Sequence, residues 1–243
     1  MRELALRTAS NASIILLPLL ITQGLWIRQR IPRLPGAAGS ETGVAGNNGA
    51  PFKLLVIGES TVAGIGAPTH EAALTGQIAV ALSQKLQRTV HWRAVGKNGV
   101  TAKKTRTDLL PNVPRESVEM VVIALGVNDV LAFHRAATWV RDLMALIEAI
   151  RERVGPAPVA LAAVPPVGNF PSLPQPLRGV LGLRARVLDQ ASRRLAPTLS
   201  DVIYADTEFP ADPEMFCEDK FHPGPLAYQL WGARIAEIVA RLI

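Results

Sequence analysis

A single cysteine, Cys217, excludes an internal disulfide, so the fold must be held together by its core. Such cysteine usage is compatible with the cytoplasm and with export alike. Aromatic residues are scarce, at 5% of the 243 residues, and no basic stripe interleaved with aromatics runs through the chain. Of the formal charge of +6, residues 1–50 supply +3, where Arg2, Arg7, Arg28, Arg30 and Arg33 stand against Glu3 and Glu41. The remainder is too diffuse to hold a nucleic acid, and no such partner is expected. No His/Cys/Asp cluster has the spacing of metal ligands, so no metal is expected. A dinucleotide fingerprint is missing too: Gly64-Ile65-Gly66 follows a strand-like run, but Thr69 stands where the third glycine belongs. No cofactor is therefore expected, and no internal repeat is evident.

Long apolar runs are confined to the amino terminus. Residues Thr8 to Ile27 carry no charge over 20 positions, about 30 Å as a helix, which matches a bilayer core. The densest part, Ile14 to Ile21, is only eight residues long and is preceded by Arg2 and Arg7, as in the apolar region of a signal peptide. Arg28, Arg30 and Arg33 follow where a small-residue cleavage site would stand. An uncleaved signal anchor, a cleaved signal and a buried or peripheral amphipathic helix all fit. The segment points to membrane association or export, and basic residues on both flanks leave its orientation open. Residues 1–33 are read as this signal or anchor segment, and residues 34–51, rich in Gly, Ala, Ser and Asn, as a flexible linker. Residues 52–243 are enough for one domain with a sizeable core.

From Phe52 onward, short apolar runs alternate with segments of helical periodicity. Strands are predicted over 53–57, 90–95, 120–125, 159–164 and 202–205, and helices over 71–87, 138–154, 179–195 and 225–242. Continuous apolar strands separated by helices indicate a parallel sheet covered on both faces. Ligands bind such open sheets beyond the carboxyl ends of the strands. Three motifs fall there: Gly58-Glu59-Ser60-Thr61, Gly96-Lys97-Asn98-Gly99 and Gly126-Val127-Asn128-Asp129. A fourth, Asp219-Lys220-Phe221-His222-Pro223, lies in the long connection after the fifth strand.

Together these motifs carry the parts of an acyl-transfer site. A serine hydroxyl is a poor nucleophile at neutral pH and needs a base, which in turn needs a group to hold its tautomer and orientation. Asp219 and His222, three residues apart, can meet within one turn, leaving only Ser60 to be brought to them. The oxyanion of a tetrahedral intermediate needs donors aimed at it in advance, and Gly99 and Asn128 are the candidates. Taken alone, a serine after a glycine is ordinary turn chemistry; four ordered blocks are a far more specific signal. The Gly-x-Ser-x-Gly elbow does not fit, because Val62 occupies its second glycine position. Asp129 is the rival carboxylate and is expected to bond backbone N–H groups of its own loop, and Glu59 is expected to be a structural hydrogen-bonder. His70, His91 and His134 have no partner at useful spacing, and Cys217 is expected to be a packed thiol. Phe170 and Leu173, in the proline-rich stretch after the fourth strand, border the same face and are candidates for lining an acyl pocket.

In these four blocks the chain resembles the SGNH branch of the GDSL esterase/lipase family over roughly residues 52 to 243, with Ser60, Gly99, Asn128 and His222 at the four naming positions. Two positions depart from the family pattern: Glu59 stands for the usual Asp, and Lys220 lies where a small residue is frequent. The resemblance implies a flavodoxin-like α/β/α sandwich around a five-stranded parallel sheet. It further implies a serine esterase with Ser60, His222 and Asp219 as triad and the Ser60 and Gly99 amides with Asn128 as oxyanion hole. The expected substrate is a small-molecule or lipid acyl ester. Family members act on lysophospholipids, simple esters, thioesters and acetylated sugars, so a carbohydrate O-acetylesterase or O-acetyltransferase on the same residues is the first alternative. A catalytically silent, membrane-tethered binding module is the second.

Overall fold

The computed structural model of the chain describes residues 17–207 and 212–243. Six strands form one sheet: β1 (Thr42–Ala45), β2 (Phe52–Gly58), β3 (Val90–Gly96), β4 (Met120–Ala124), β5 (Val159–Ala162) and β6 (Val202–Ala205). Their order is β1-β3-β2-β4-β5-β6, with β2 to β6 parallel and β1 antiparallel to β3 at the edge. The longer helices are α1 (Leu17–Arg30), α2 (Leu74–Leu86), α3 (Ala136–Val154), α4 (Leu177–Leu195) and α5 (Pro225–Val239). α2 packs on α5 and α3 on α4, which completes a three-layer α/β/α sandwich.

The central strands explain the reading of a doubly covered sheet. Every residue of β4 and β5 is buried, as expected where helices cover both faces and β-branched side chains fill the space between layers. α3 buries Trp139, Leu143, Leu146, Ile147, Ile150 and Val154, one stripe at helical spacing. Each predicted helix is present, its ends shifted by up to three residues.

The sheet has six strands rather than five. The extra one, β1, comes from within 34–51, the segment read from its small residues as a flexible linker. Its composition has a packing reason: a Cβ on Gly43 would come within 2.3 Å of the Trp92 ring, so glycine lets β1 lie flat over that indole. Four residues long and with Val44 exposed, β1 is the short kind of edge strand that resists further pairing.

The part of the amino-terminal apolar segment before Leu17 lies outside the described residues. From Leu17 the segment is α1, docked against α4. Leu20 and Ile27 are buried. Gln23 Nε2 donates to the carbonyl of Gln175 at 2.8 Å, and Gln23 Oε1 accepts from the Leu177 amide at 3.1 Å. Among the described residues no helix is long and apolar enough to cross a membrane.

The chain leaves β2 for β3 on one side and reaches β4 on the other, so the carboxyl end of β2 is a topological switch point. The loop after β2 passes Gly66, with φ +91°, where a Cβ would lie 2.2 Å from the carbonyl oxygen of Pro223. Tyr228, fully buried on α5, donates its hydroxyl to the carbonyl of Ile65 at 2.6 Å. Thus the loop carrying Ser60 and the loop carrying His222 meet backbone to backbone. Gly66→Ala is expected to destabilise the protein by about 1–3 kcal/mol through overpacking and a disfavoured φ. Thermal denaturation would register this as a fall in Tm of roughly 2–4 °C per kcal/mol, and an unchanged Tm would mean the two loops are not in contact.

Candidate active site

Ser60 lies two residues past the end of β2 and is almost fully buried. Its turn is closed by bonds from Val62 N and Ala63 N to the Glu59 carbonyl, at 3.0 and 3.1 Å, and from Ile65 N to the Ser60 carbonyl at 3.0 Å. The buried side chain of Glu59 reaches the residues just after β4. Its Oε1 accepts from the Val127 amide at 3.0 Å; its Oε2 accepts from the Asn128 amide at 3.0 Å and also from Asn128 Nδ2. An amide nitrogen carries two hydrogens, so Asn128 is held through one and keeps the other. Gly99, at φ +80° after β3, adopts a conformation that a side chain would strain.

Asp129 is not bonded as the sequence suggested. Its Oδ2 accepts from the Ala102 amide at 3.1 Å, reaching across to the loop that follows Gly99 rather than to its own backbone. Its Oδ1 pairs with His134 Nδ1 at 2.8 Å, so His134 does have a partner. Burial raises the Asp129 pKa above the usual carboxylate range against these bonds. The loop after β2 is thereby tied to the loop after β4, and the loop after β4 to the loop after β3, each by one buried carboxylate.

Asp219 and His222 arrive as a pair on one tight loop, closed by bonds from Cys217 N to the His222 carbonyl at 2.9 Å and from Lys220 N to the Cys217 carbonyl at 3.0 Å. Asp219 Oδ1 accepts from the amides of Phe221 and His222, both at 2.8 Å, and from Cys217 Sγ at 3.1 Å. Its Oδ2 lies 2.6 Å from His222 Nδ1. Burial would raise the Asp219 pKa, but these hydrogen bonds outweigh it and bring the carboxyl down to about 2. An ionised Asp219 requires Nδ1 to carry a proton, leaving the lone pair of the neutral ring on Nε2. Burial, reinforced by Asp219, pushes the Cys217 thiol up to about 12, so it remains a protonated donor. Lys220 adopts φ +55° and is exposed.

Two cavities meet at His222. One, about 20 Å³, is lined by Ser60, Thr61, Phe170, Phe221 and His222 among others. The other is a groove of about 1190 Å³ bounded at one end by Gly99, Asn128 and His222. Phe170 and Leu173 therefore both line this region but on separate cavities, with Phe170 stacked edge-on against Phe221 at 5.1 Å and Leu173 in the wall of the groove. Phe221, which borders both, was overlooked in the sequence although it adjoins His222. Lys220 lines neither. Among the described residues no three His, Cys, Asp or Glu side chains converge as metal ligands.

Comparison with known proteins bears on the family and the fold. The model of the GDSL-like lipase/acylhydrolase family matches residues 56–230. The chain belongs to this family. It is accordingly a carboxylic ester hydrolase. No curated protein matches it in sequence. Among solved structures, a member of the lipolytic G-D-S-L family from Veillonella parvula is similar at 16% identity and a TM-score of 0.60, over 78% of this chain and 99% of that one. Est24, a carbohydrate acetylesterase from Sinorhizobium meliloti, is similar at 20% identity and a TM-score of 0.56, over 79% and 100%. So is a proposed arylesterase from Agrobacterium tumefaciens, at 19% identity and a TM-score of 0.59, over 79% and 100%. At these identities the likeness concerns the fold.

In this GDSL-like acylhydrolase the carboxylate beside Ser60 is under electrostatic tension. Burial raises the Glu59 pKa to about 7, against the amides of Asn128 and Val127, which favour the ionised form, and with help from nearby Asp129. An acid whose pKa is higher folded than unfolded stabilises the protein most below its unfolded value, and that contribution is lost as pH rises through the folded value. Between pH 4.5 and 7 the unfolding free energy is therefore expected to fall by about 3 kcal/mol on account of Glu59. Urea denaturation at several pH values would show this slope in the native protein and its absence in Glu59→Gln; equal slopes would mean that Glu59 does not titrate there.

Proposed function

We propose that this family member is a serine esterase acting on acyl esters through Ser60, His222 and Asp219. The observation that carries the reading is His222, paired with Asp219 at 2.6 Å and lining one cavity with Ser60 at the switch point of the sheet. In this reading Ser60 Oγ bonds to the ester carbonyl carbon while its proton passes to His222 Nε2. The carbonyl oxygen, now negative, takes hydrogen bonds from the backbone amides of Ser60 and Gly99 and from the free Nδ2 hydrogen of Asn128. Collapse of the intermediate breaks the bond to the alcohol oxygen, which leaves with the proton from His222. Water then gives its proton to His222, attacks the acyl-enzyme and releases the carboxylic acid, with Ser60 recovering the proton.

Asp219 keeps the imidazole in the tautomer that presents Nε2 to Ser60 and favours the imidazolium as it forms. Phe170, in the cavity that Ser60 lines, and Leu173, in the groove that meets it at His222, are proposed to touch the acyl group. The same residues would serve a carbohydrate O-acetylesterase, the activity named for Est24, but the mostly apolar lining of the groove at His222 favours an apolar acyl ester.

With p-nitrophenyl acetate as substrate, Ser60→Ala is expected to lower kcat by at least roughly 10⁴-fold without unfolding the protein; retained turnover in the purified variant would end the assignment. Asp219→Asn is expected to cost roughly 10⁴-fold in kcat through the wrong imidazole tautomer. Asn128→Ala should cost roughly 10²–10³-fold, mostly in kcat rather than KM.

A further inference from the structure

The groove of about 1190 Å³ that starts at Gly99, Asn128 and His222 is not enclosed by the catalytic layers alone. Its second wall is α1, which lies outside the family match of residues 56–230. Leu20, Gly24 and Ile27 of α1, with Ile31 directly after it, line it from that side, and Leu131, Leu173, Leu177 and Leu181 from the other. The α1 residues recur at helical spacing on one face. From Leu20 to Ile31 this stripe runs about 17 Å at 1.5 Å per residue, room for an alkyl chain of roughly ten carbons or more.

The hollow has a definite origin. Leu20 and Ile27 are buried and hold α1 on the body, whereas Gly24, between them on the same face, leaves open space: a Cβ built there meets no atom within 4 Å. A glycine inside a helix costs stability relative to other residues. Here it coincides with the gap between the helix and the body.

We propose that α1 is part of the substrate site and that the groove beneath it binds the long unbranched acyl chain of the ester. The inference rests on the serine-esterase reading for its reaction, but the site itself is defined by the groove. The apolar amino-terminal helix, on this account, is a wall of the active site, and the preferred substrates are fatty acyl esters rather than acetyl esters. A straight alkyl chain suits a lining that is mostly apolar, aliphatic side chains with Phe133 and Phe221, and polar at Arg33, Asn98, Lys104, Asn128 and His222.

The full chain, Ser60→Ala, Gly24→Phe and Leu19→Ser are compared on p-nitrophenyl acetate and p-nitrophenyl dodecanoate, and the binding of dodecanoate is measured by calorimetry. The open space at Gly24 and the gain in helix propensity favour folding of Gly24→Phe, whose ring would fill the groove. The native protein is expected to favour the dodecanoyl ester at least ten-fold in kcat/KM. In Gly24→Phe the dodecanoyl-to-acetyl ratio should fall at least ten-fold and dodecanoate should bind at least ten-fold more weakly. Leu19, exposed and outside the groove, serves as a control, and Leu19→Ser should keep the native ratio. Ser60-dependent turnover with an acetyl preference, or with a ratio unchanged by Gly24→Phe, would overturn the groove while leaving the esterase reading intact. Absence of Ser60-dependent turnover on either ester would overturn the esterase reading instead. Dodecanoate binding would then decide the groove alone: saturable binding weakened by Gly24→Phe upholds it, and no binding overturns it.

Discussion

The buried carboxylate of Glu59 is the interaction on which the arrangement of the site depends. It leaves β2 beside Ser60 and ends among the N–H groups of Val127 and Asn128 after β4. Two loops that a parallel sheet would leave independent are joined through one side chain. A carboxylate suits this task because its two oxygens offer several lone pairs, enough for two backbone amides and the Asn128 side chain at once. The cost is desolvation, visible in a pKa raised to about 7. Asp129 repeats the device one strand over, binding the Ala102 amide and His134.

The His222 side of the site is organised on a different principle. Asp219 and His222 need no sheet to find each other, since the loop that bears them is closed by its own backbone bonds and by Asp219 accepting the amides of Phe221 and His222. What the tertiary structure adds is the docking of that loop against the Ser60 loop, at Gly66 and through Tyr228. One half of the site is therefore local and preassembled, and the other is stretched over three strand ends. A change at the contact between them bears on stability and on the reaction together.

α1 changes the meaning of the amino-terminal segment. Its composition is that of a signal or anchor, yet from Leu17 onward it has a buried face, a paired glutamine and a hollow at Gly24 that opens toward Asn128 and His222. Apolar residues that would suit lipid also suit a fatty chain, because both are recognised by the same removal of surface from water.

Residue order alone determined the five parallel strands, the four long helices after Phe52 and the four blocks. Apolar runs with period near two or 3.6, and short polar motifs just past them, are local signals that survive without coordinates. The family resemblance rested on those same blocks, and so did the pairing of Asp219 with His222, three residues apart. What only the tertiary structure decided were the contacts between residues far apart in the chain. Glu59 reaches Asn128 across 69 positions, Asp129 reaches Ala102 across 27, and Gln23 reaches Gln175 across 152. β1 was hidden for the same reason, since its glycine has a purpose only once Trp92 lies beneath it. Composition records what a segment is able to bury, whereas its partner is chosen by packing, and packing is a property of the whole fold.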